Sequence, residues 1–129
     1  MASERIEVLQ QIYAAWEAGG IDAVFDFIHP DIEVVVGPEV SIEPDVYRGH
    51  EGVRRWFDAF EGMEDVDMRP EGFIEDGERV LVPIVLSGRG AGSGIEVEQR
   101  AVQAWTVRDG KAVRVEAFAD LESARMADR

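Results

Sequence analysis

The side chain with the clearest chemical potential is a glutamine inside an apolar segment. Gln103 stands among apolar neighbours in residues 95–107, a composition that predicts a β-strand. Side chains alternate between the two faces of a strand, so if Gln103 faces the interior, Trp105 does too. A buried amide needs hydrogen-bond partners, which a ligand, the backbone, Tyr13 or Tyr47 could supply. The opposite face then carries polar side chains: Glu98, Arg100 and Thr106.

The two histidines and a glycine-rich segment offer weaker chemistry. His29 and His50 flank predicted helix ends without carboxylates at metal-ligand spacing, so we expect helix-terminal contacts and no metal site. Residues 87–94 are rich in glycine but join two predicted strands. A phosphate-binding loop runs instead from a strand into a helix N-terminus. We therefore predict a hairpin tip, and no cofactor.

Turn signals organise the C-terminal half of the chain. Asp109-Gly110 separates the apolar segments at residues 95–107 and 112–119, and Asp76-Gly77 lies just before the apolar segment at residues 80–86. Asp-Gly pairs between such segments predict hairpins, because both turn positions tolerate positive φ. Residues 63–75, irregular at Pro70, complete four consecutive antiparallel strands, and a short helix could follow at residues 121–126.

Helical periodicity dominates the N-terminal half. Ser3 can cap a first helix that ends at Gly19-Gly20, and a second spans about residues 22–28 before His29-Pro30. A strand at 32–36 and a loop at 37–46 lead to a third helix at 50–62, with Val53, Trp56, Phe57 and Phe60 as its apolar stripe. The predicted order is therefore helix, helix, strand, helix and four strands, with the helices closing one face of the sheet.

Composition narrows the range of functions. The chain has 129 residues, a net charge of −14 and no cysteine. That charge argues against nucleic acid or an anionic membrane surface as a partner, because both need a basic face. Without a disulfide framework, a signal peptide or an apolar run of about 20 residues, we expect a cytoplasmic location.

Four short motifs, in order, carry a family resemblance: residues 18–23 (AGGIDA), 29–31 (HPD), 47–53 (YRGHEGV) and 105–111 (WTVRDGK). The chain resembles the SnoaL-like branch of the nuclear transport factor 2-like superfamily over nearly its whole length. The resemblance implies one domain over residues 1–129 and the α+β class: a cone of curved antiparallel sheet packed on three N-terminal helices, with an open pocket. Members include ketosteroid isomerase, polyketide cyclases and epoxide hydrolases.

The catalytic residues of these relatives have poor counterparts in this sequence. Ketosteroid isomerase uses a helix-1 tyrosine, an aspartate base after the first strand and a protonated aspartate on a late strand. Alignment on the turn at residues 20–22 places Ile12, Val36 and Gln103 at those positions. The aspartate–arginine–aspartate set of the epoxide hydrolases and the cyclase aspartate cannot be placed. Catalytic residues are therefore unassigned. Glu33 and Val36 are three residues apart on the predicted strand, so they face opposite sides of the sheet, and Glu33 is expected outside the pocket.

The candidate pocket is mainly aromatic and aliphatic. Its candidate residues are Tyr13, Trp16, Val36, Tyr47, Trp56, Val82, Ile84, Gln103 and Trp105. Tryptophans with this spacing more often belong to the hydrophobic core than to a ligand platform, so the core role is the favoured alternative for all three. We expect the ligand to be a small apolar organic molecule.

Residues 80–86 are apolar on both faces, which a sheet exposed on one side does not require. An apolar outer face usually marks an interface. Related proteins often pair through their sheets. We therefore expect a homodimer packed sheet to sheet, with Leu81, Val85 and Val102 near its centre. Aspartate at Val102 should then dissociate it.

Three functions remain open from the sequence. The first is an isomerase, cyclase or hydrolase using acid–base chemistry, which would place a carboxylate or histidine of perturbed pKa in the pocket. The second is a noncatalytic binding protein, whose pocket would be lined by tryptophan, aliphatic residues and glutamine. The third is a dimerisation module, whose cone would be filled by its own side chains.

Overall fold

A computed structural model describes residues 3–36, 45–58 and 63–126. The elements, in chain order, are helix α1 (Glu4–Gly19), helix α2 (Ile21–Val24), a 3₁₀ turn (Phe25–Phe27), strand β1 (Ile28–Val36), strand β2 (Asp45–Arg48), helix α3 (Gly49–Phe57), strand β3 (Met63–Pro70), strand β4 (Ile74–Asp76), strand β5 (Arg79–Gly90), strand β6 (Glu96–Arg108), strand β7 (Lys111–Phe118) and helix α4 (Leu121–Met126).

The strands form one open sheet of seven strands, which confirms the predicted α+β class. Six strands lie side by side in the order β2-β1-β7-β6-β5-β3, and β4 pairs with β5. The sheet is mixed, whereas the sequence predicted an antiparallel one, because β1 runs parallel to β7. Helices α1 and α3 pack against one face.

Helix α1 follows from its capping residue and its apolar stripe. The Ser3 hydroxyl accepts a hydrogen bond from the Ile6 backbone N–H at 3.1 Å, which satisfies one of the free amides of the first turn. The helix ends where Gly20 adopts a positive φ of 72°. Its buried face carries Val8, Leu9, Ile12 and Tyr13.

The region around the second and third helices differs from the sequence-based prediction. Strand β1 begins at Ile28 and includes His29-Pro30, so the second helix is shorter than expected. The end of the predicted loop, at residues 45–46, belongs to strand β2. Gly52 lets α3 lie close to β2, because a Cβ there would stand 2.8 Å from the Tyr47 carbonyl carbon. Most of the predicted loop and the end of the predicted third helix, with Phe60, lie outside the described residues.

The C-terminal strands form the predicted hairpins. Gly77, between β4 and β5, and Asp109-Gly110, between β6 and β7, all have positive φ. The glycine-rich segment is the tip of the β5–β6 hairpin, as predicted, and no helix follows it. The predicted strand at 63–75 is divided, because β3 ends at Pro70 and β4 begins at Ile74.

Two apolar clusters lie on opposite faces of the sheet. The larger one joins α1, α2 and α3 to the inner face. The smaller one lies on the outer face and contains Leu81, Val102, Ala104, Phe118 and Ala124. Ala124 comes from α4, so the chain's own C-terminal helix covers the part of the outer face formed by these apolar residues.

The predicted apolar outer surface is therefore not exposed. Leu81, Val85 and Val102 are 0%, 2% and 4% exposed in the single chain. The expectation that they form an open patch is wrong, because α4 packs against the cluster that contains Leu81 and Val102.

Candidate functional site

An internal cavity of about 30 Å³ lies between the helices and the inner face of the sheet. A site of that volume holds about two water molecules, since one needs roughly 10–15 Å³. Its lining is Ile12, Tyr13, Trp16, Ile21, Val24, Ile28, Ile32, Val34, Val53, Trp56, Phe57, Met68, Gln103, Trp105 and Val115. Nearly all of these side chains are apolar, so the cavity suits an apolar occupant.

One chain of hydrogen bonds crosses this apolar lining. The Trp105 indole N–H donates to the Tyr13 hydroxyl oxygen at 3.0 Å. The Tyr13 hydroxyl donates in turn to the Gln103 side-chain oxygen. The Gln103 amide nitrogen lies 3.5 Å from the Met68 sulfur, a weak acceptor. Of the partners that the sequence left open for Gln103, the structure therefore selects Tyr13.

The directions of these hydrogen bonds follow from the donors. An indole N–H can only donate, so the Tyr13 oxygen accepts from Trp105 and sends its own proton to Gln103. Burial raises the pKa of Tyr13 well above its usual value of 10.0, because a phenolate is poorly solvated there. Tyr13 is therefore a neutral hydrogen-bond donor at physiological pH, not a base.

The described lining contains no carboxylate, histidine or lysine. Val36, at the position of the isomerase base, is buried but does not line the cavity. Ile12, aligned with the isomerase tyrosine, is an apolar lining residue, and the adjacent Tyr13 reaches Gln103 instead. Within the described residues, this cavity lacks a general base for isomerase chemistry.

The solvent side of the cavity lies between α1 and α3. Every lining residue is buried except Trp16, Ile21, Trp56 and Phe57, which are half-buried. The Phe57 ring centroid lies 4.9 Å from that of Trp16 and 5.1 Å from that of Trp56. These three rings, which we call the aromatic cluster, form the half-buried part of the cavity wall together with Ile21.

Five of the candidate pocket residues lie in the cavity wall: Tyr13, Trp16, Trp56, Gln103 and Trp105. Val82 and Ile84 pack into the core near α1, beside the cavity rather than in its wall. Tyr47 is half-buried on β2, where the Arg55 guanidinium lies 5.1 Å from its ring centroid.

Sequence reasoning missed Met68 and Phe57 as lining residues. Met68 is 8% exposed. Its strand is rich in charged residues, so the sequence did not indicate that this side chain faces the interior. Phe57 lies on the predicted stripe of α3 and was assigned to the core. Helical spacing showed that it faces inward, and only the position of α1 shows that it meets Trp16.

The two histidines and Glu33 lie outside the cavity. The His50 Nε2–H donates to the Ile28 carbonyl at 3.0 Å, and its ring stacks on Phe25 at 4.6 Å. His29 Nδ1 accepts from the Asp31 backbone N–H at 3.0 Å. Glu33 lies on the outer face of the sheet, 3.5 Å from Arg114.

Neither a metal-ligand set nor a membrane-spanning segment is found in the described ranges. No group of three or more histidine and acidic side chains there could hold a metal ion. No helix among those residues has the length and apolar character that crossing a membrane requires.

Comparison with known proteins identifies close structural counterparts. TerC, co-crystallised with polyporic acid, is 26% identical, with 96% of this chain and 97% of TerC covered at a TM-score of 0.76. A nuclear transport factor 2-like protein from Burkholderia thailandensis is 24% identical, and the match covers 100% of this chain and 99% of that protein at a TM-score of 0.77. A Mycobacterium tuberculosis protein in complex with estradiol-17β-hemisuccinate is 16% identical, and the match covers 94% of this chain and 97% of that protein at a TM-score of 0.74. The last two show the fold alone.

A search of curated proteins finds no match. The model of the SnoaL-like domain matches residues 9–115, which include both the helical layer and most of the sheet. The matched range also contains every residue of the Trp105–Tyr13–Gln103 chain. The chain therefore belongs to the SnoaL-like domain family.

Proposed function

We propose that the cavity binds a small organic ligand that is largely apolar and has one polar group. The observation that carries this proposal is the contrast within the site: an aromatic and aliphatic wall surrounds a single hydrogen-bond chain that ends at Gln103. Ligand sites typically combine such a wall with a few polar groups that fix orientation.

The ligands of two structural relatives support this proposal. TerC was co-crystallised with polyporic acid, and the Mycobacterium tuberculosis protein was solved with an estradiol ester. Both are small organic molecules. We propose the same class of ligand here, since aromatic side chains face the cavity and Gln103 is its polar end.

A ring compound enters this cavity only if part of the wall moves. Sites for drug-sized ligands occupy roughly 300–1,000 Å³, far more than the volume of about 30 Å³ found here. The aromatic cluster of Trp16, Trp56 and Phe57 is the part of the wall with solvent beside it. Outward rotation of these rings would enlarge the cavity without exposing the buried hydrogen-bond chain.

Binding without chemistry is better supported than catalysis. An isomerase or cyclase needs a positioned base, and the described lining contains none. Tyr13 cannot serve as one, because burial keeps its hydroxyl protonated. A rate enhancement for isomerisation or cyclisation of a bound ketone would contradict this preference and restore the enzymatic alternative.

Intrinsic fluorescence offers a direct test of ligand binding. All 3 tryptophans of the chain line the cavity, so a bound ring compound should change their emission. Titration with bicyclic compounds such as indane, followed by fluorescence and calorimetry, should give saturable binding with a stoichiometry of one. Linear, unsaturable changes would contradict the proposal.

Val115→Ile should weaken that binding about fivefold or more. Val115 is 1% exposed and lines the cavity, so the added methylene would take up space that the ligand needs. Val113→Ile is the matched control, because Val113 lies two residues away on β7 and does not line the cavity. Equal dissociation constants for the two variants, measured by calorimetry, would place the ligand elsewhere.

We also propose self-association, with an interface that differs from the one expected from sequence. Because α4 covers the apolar half of the outer face, a sheet-to-sheet contact would use the charged half around Glu33, Arg114 and Glu116. Such a dimer should weaken in concentrated salt, since salt screens exposed charges. Sedimentation velocity at micromolar protein tests this. A monomer even at low salt would contradict it.

A further inference from the structure

The C-terminal helix is a small cover on the outer face of the sheet. Helix α4 has 6 residues, of which Ala124 is the buried one, and it contacts β5, β6 and β7. Helices shorter than about 12–15 residues are marginal in isolation. The position of α4 therefore depends on its contacts with the sheet and on the hydrogen bonds at its two ends.

Polar contacts hold both ends of α4. At its start, the Asp120 carboxylate accepts a hydrogen bond from the Ser123 backbone N–H at 2.8 Å. At its end, the Arg79 guanidinium donates to the Ala124 carbonyl oxygen at 3.0 Å. The same guanidinium lies 3.3 Å from an Asp76 carboxylate oxygen, and the Arg79 side chain is 14% exposed. A cation at this end satisfies a carbonyl that the helix itself leaves free, so Arg79 positions α4 on the sheet.

The surface beneath α4 is apolar and continuous. Phe118 pairs with Val102 across β7 and β6, and Leu81 pairs with Ala104 across β5 and β6. With α4 in place, all four residues are at most 5% exposed. Displacement of α4 would open an apolar surface across three strands, and contiguous apolar surfaces of that kind mark sites of association.

The margin of this surface carries both signs of charge. Glu116 pairs with Ala104 across the strands, and its carboxylate lies 3.2 Å from the Arg114 guanidinium. In a two-fold contact each copy presents the same residues, so a charged margin is self-complementary only when it contains both a cation and an anion. A partner with charges of one sign would leave one of the two unpaired. The partner that fits this surface is a second copy of the chain.

We infer that α4 is a removable cover that controls self-association of this chain. Closed, α4 shields Leu81, Val102 and their neighbours from solvent; open, it exposes them to the same surface of a second copy. Opening a short terminal helix costs less than global unfolding, because the rest of the core stays packed. This contact is separate from the cavity and from the charged contact proposed above. Its side chains are apolar, so it should persist in concentrated salt.

Ala124→Arg displaces α4 without shortening the chain. Ala124 is 0% exposed, so the guanidinium would be buried without a partner while α4 stays closed. Met126→Arg is the matched control, because it makes the same change in charge on the same helix where the side chain is 65% exposed. Sedimentation velocity at micromolar protein in concentrated salt should find Ala124→Arg dimeric, and the control and the unmodified protein monomeric. An Ala124→Arg protein that is folded and monomeric overturns the inference, as does a salt-resistant dimer of the unmodified protein.

Thiol labelling keeps the inference testable if Ala124→Arg does not fold. The chain has no cysteine, so a single introduced thiol reports on its own position. Ala124→Cys under α4 and Ala112→Cys in the larger cluster make the same change at two sites that are both 0% exposed. Because α4 opens alone, Ala124→Cys should react with a thiol reagent at least about tenfold faster than Ala112→Cys. Equal rates would show that α4 opens only when the whole fold unfolds, and would overturn the inference.

Arg79→Gln tests the positioning role of the guanidinium. It removes the charged donor to the Ala124 carbonyl, so labelling of Ala124→Cys should become about fivefold faster, since hydrogen bonds of charged groups contribute more than neutral ones. Arg79→Lys keeps a cation near the helix end and should restore most of the slower rate. Labelling of Ala112→Cys should change less than that of Ala124→Cys. Equal acceleration at both cysteines would show that Arg79 stabilises the whole fold rather than α4, and would overturn its role in the cover.

Discussion

Replacing Val102 with aspartate is expected to lower the free energy of unfolding by about 3–5 kcal/mol, or to prevent folding. Val102 is 4% exposed on β6 and belongs to the outer cluster with Leu81, Phe118 and Ala124. The cluster is built from apolar side chains. The aspartate would be an isolated charge in an apolar environment, which proteins tolerate poorly.

Urea denaturation followed by circular dichroism measures this loss. Val97→Asp is the matched control, because it makes the same change on the same strand where the side chain is 49% exposed. The control should cost less than about 0.5 kcal/mol, as is usual for surface substitutions. A folded, monomeric Val102→Asp protein with an unchanged midpoint would show that α4 does not cover this residue. That outcome would restore the interface expected from sequence.

Features of the fold that depend on local chemistry were predictable from the sequence. Ser3 followed by an apolar stripe fixes the start of α1, because the cap and the stripe act within a few residues. Asp109-Gly110 predicts the β6–β7 turn for the same reason, since both residues adopt the positive φ that the turn needs. The family resemblance added the overall class, which the described structure confirms.

Features that depend on distant contacts were not predictable in this way. The parallel pairing of β1 with β7 joins residues about 80 positions apart, and no local pattern specifies it. The packing of α4 on the sheet was not predictable either. The sequence predicted a helix at residues 121–126, but nothing in it indicated that this helix would cover Leu81 and Val102. The apolar outer face was therefore interpreted as an interface.

In the candidate site too, features set by local sequence were predictable, whereas features set by distant contacts were not. Strand parity placed Gln103 and Trp105 on one face, because side chains alternate whatever the tertiary structure is. The choice of Tyr13 over Tyr47 as the partner of Gln103 depends on how α1 crosses the sheet. The half-buried part of the cavity wall also depends on packing between α1 and α3, where Trp16 meets Phe57.

Tyr13→Phe should be the most damaging change that removes a single oxygen from this cavity. It leaves the Trp105 indole N–H without its acceptor and the Gln103 oxygen without its donor. Each unsatisfied buried group costs about 1–3 kcal/mol, so the free energy of unfolding should fall by about 2–4 kcal/mol. Chemical denaturation measures the loss.

Tyr47→Phe is the matched control for this loss. Tyr47 is half-buried, and no hydrogen bond of its hydroxyl is found among the described residues, so this variant should change stability by less than about 0.5 kcal/mol. A double-mutant cycle between Tyr13→Phe and Gln103→Leu should show coupling of about 1–2 kcal/mol, because the second change removes one of the two orphaned groups. Equal losses in the two phenylalanine variants, or additive effects in the cycle, would contradict the hydrogen-bond chain.

The pH dependence of stability gives Tyr13 a second, independent signature. Burial raises its pKa in the folded protein above the value of 10.0 expected for an accessible phenol. Above that pH the unfolded chain releases the Tyr13 proton while the folded chain retains it, so the unfolded state binds fewer protons. The contribution of Tyr13 is therefore complete below pH 10 and is lost progressively as the pH rises towards the folded-state value. The free energy of unfolding should fall less steeply above pH 10 in Tyr13→Phe than in the unmodified protein, and identical slopes would mean that Tyr13 is accessible to solvent.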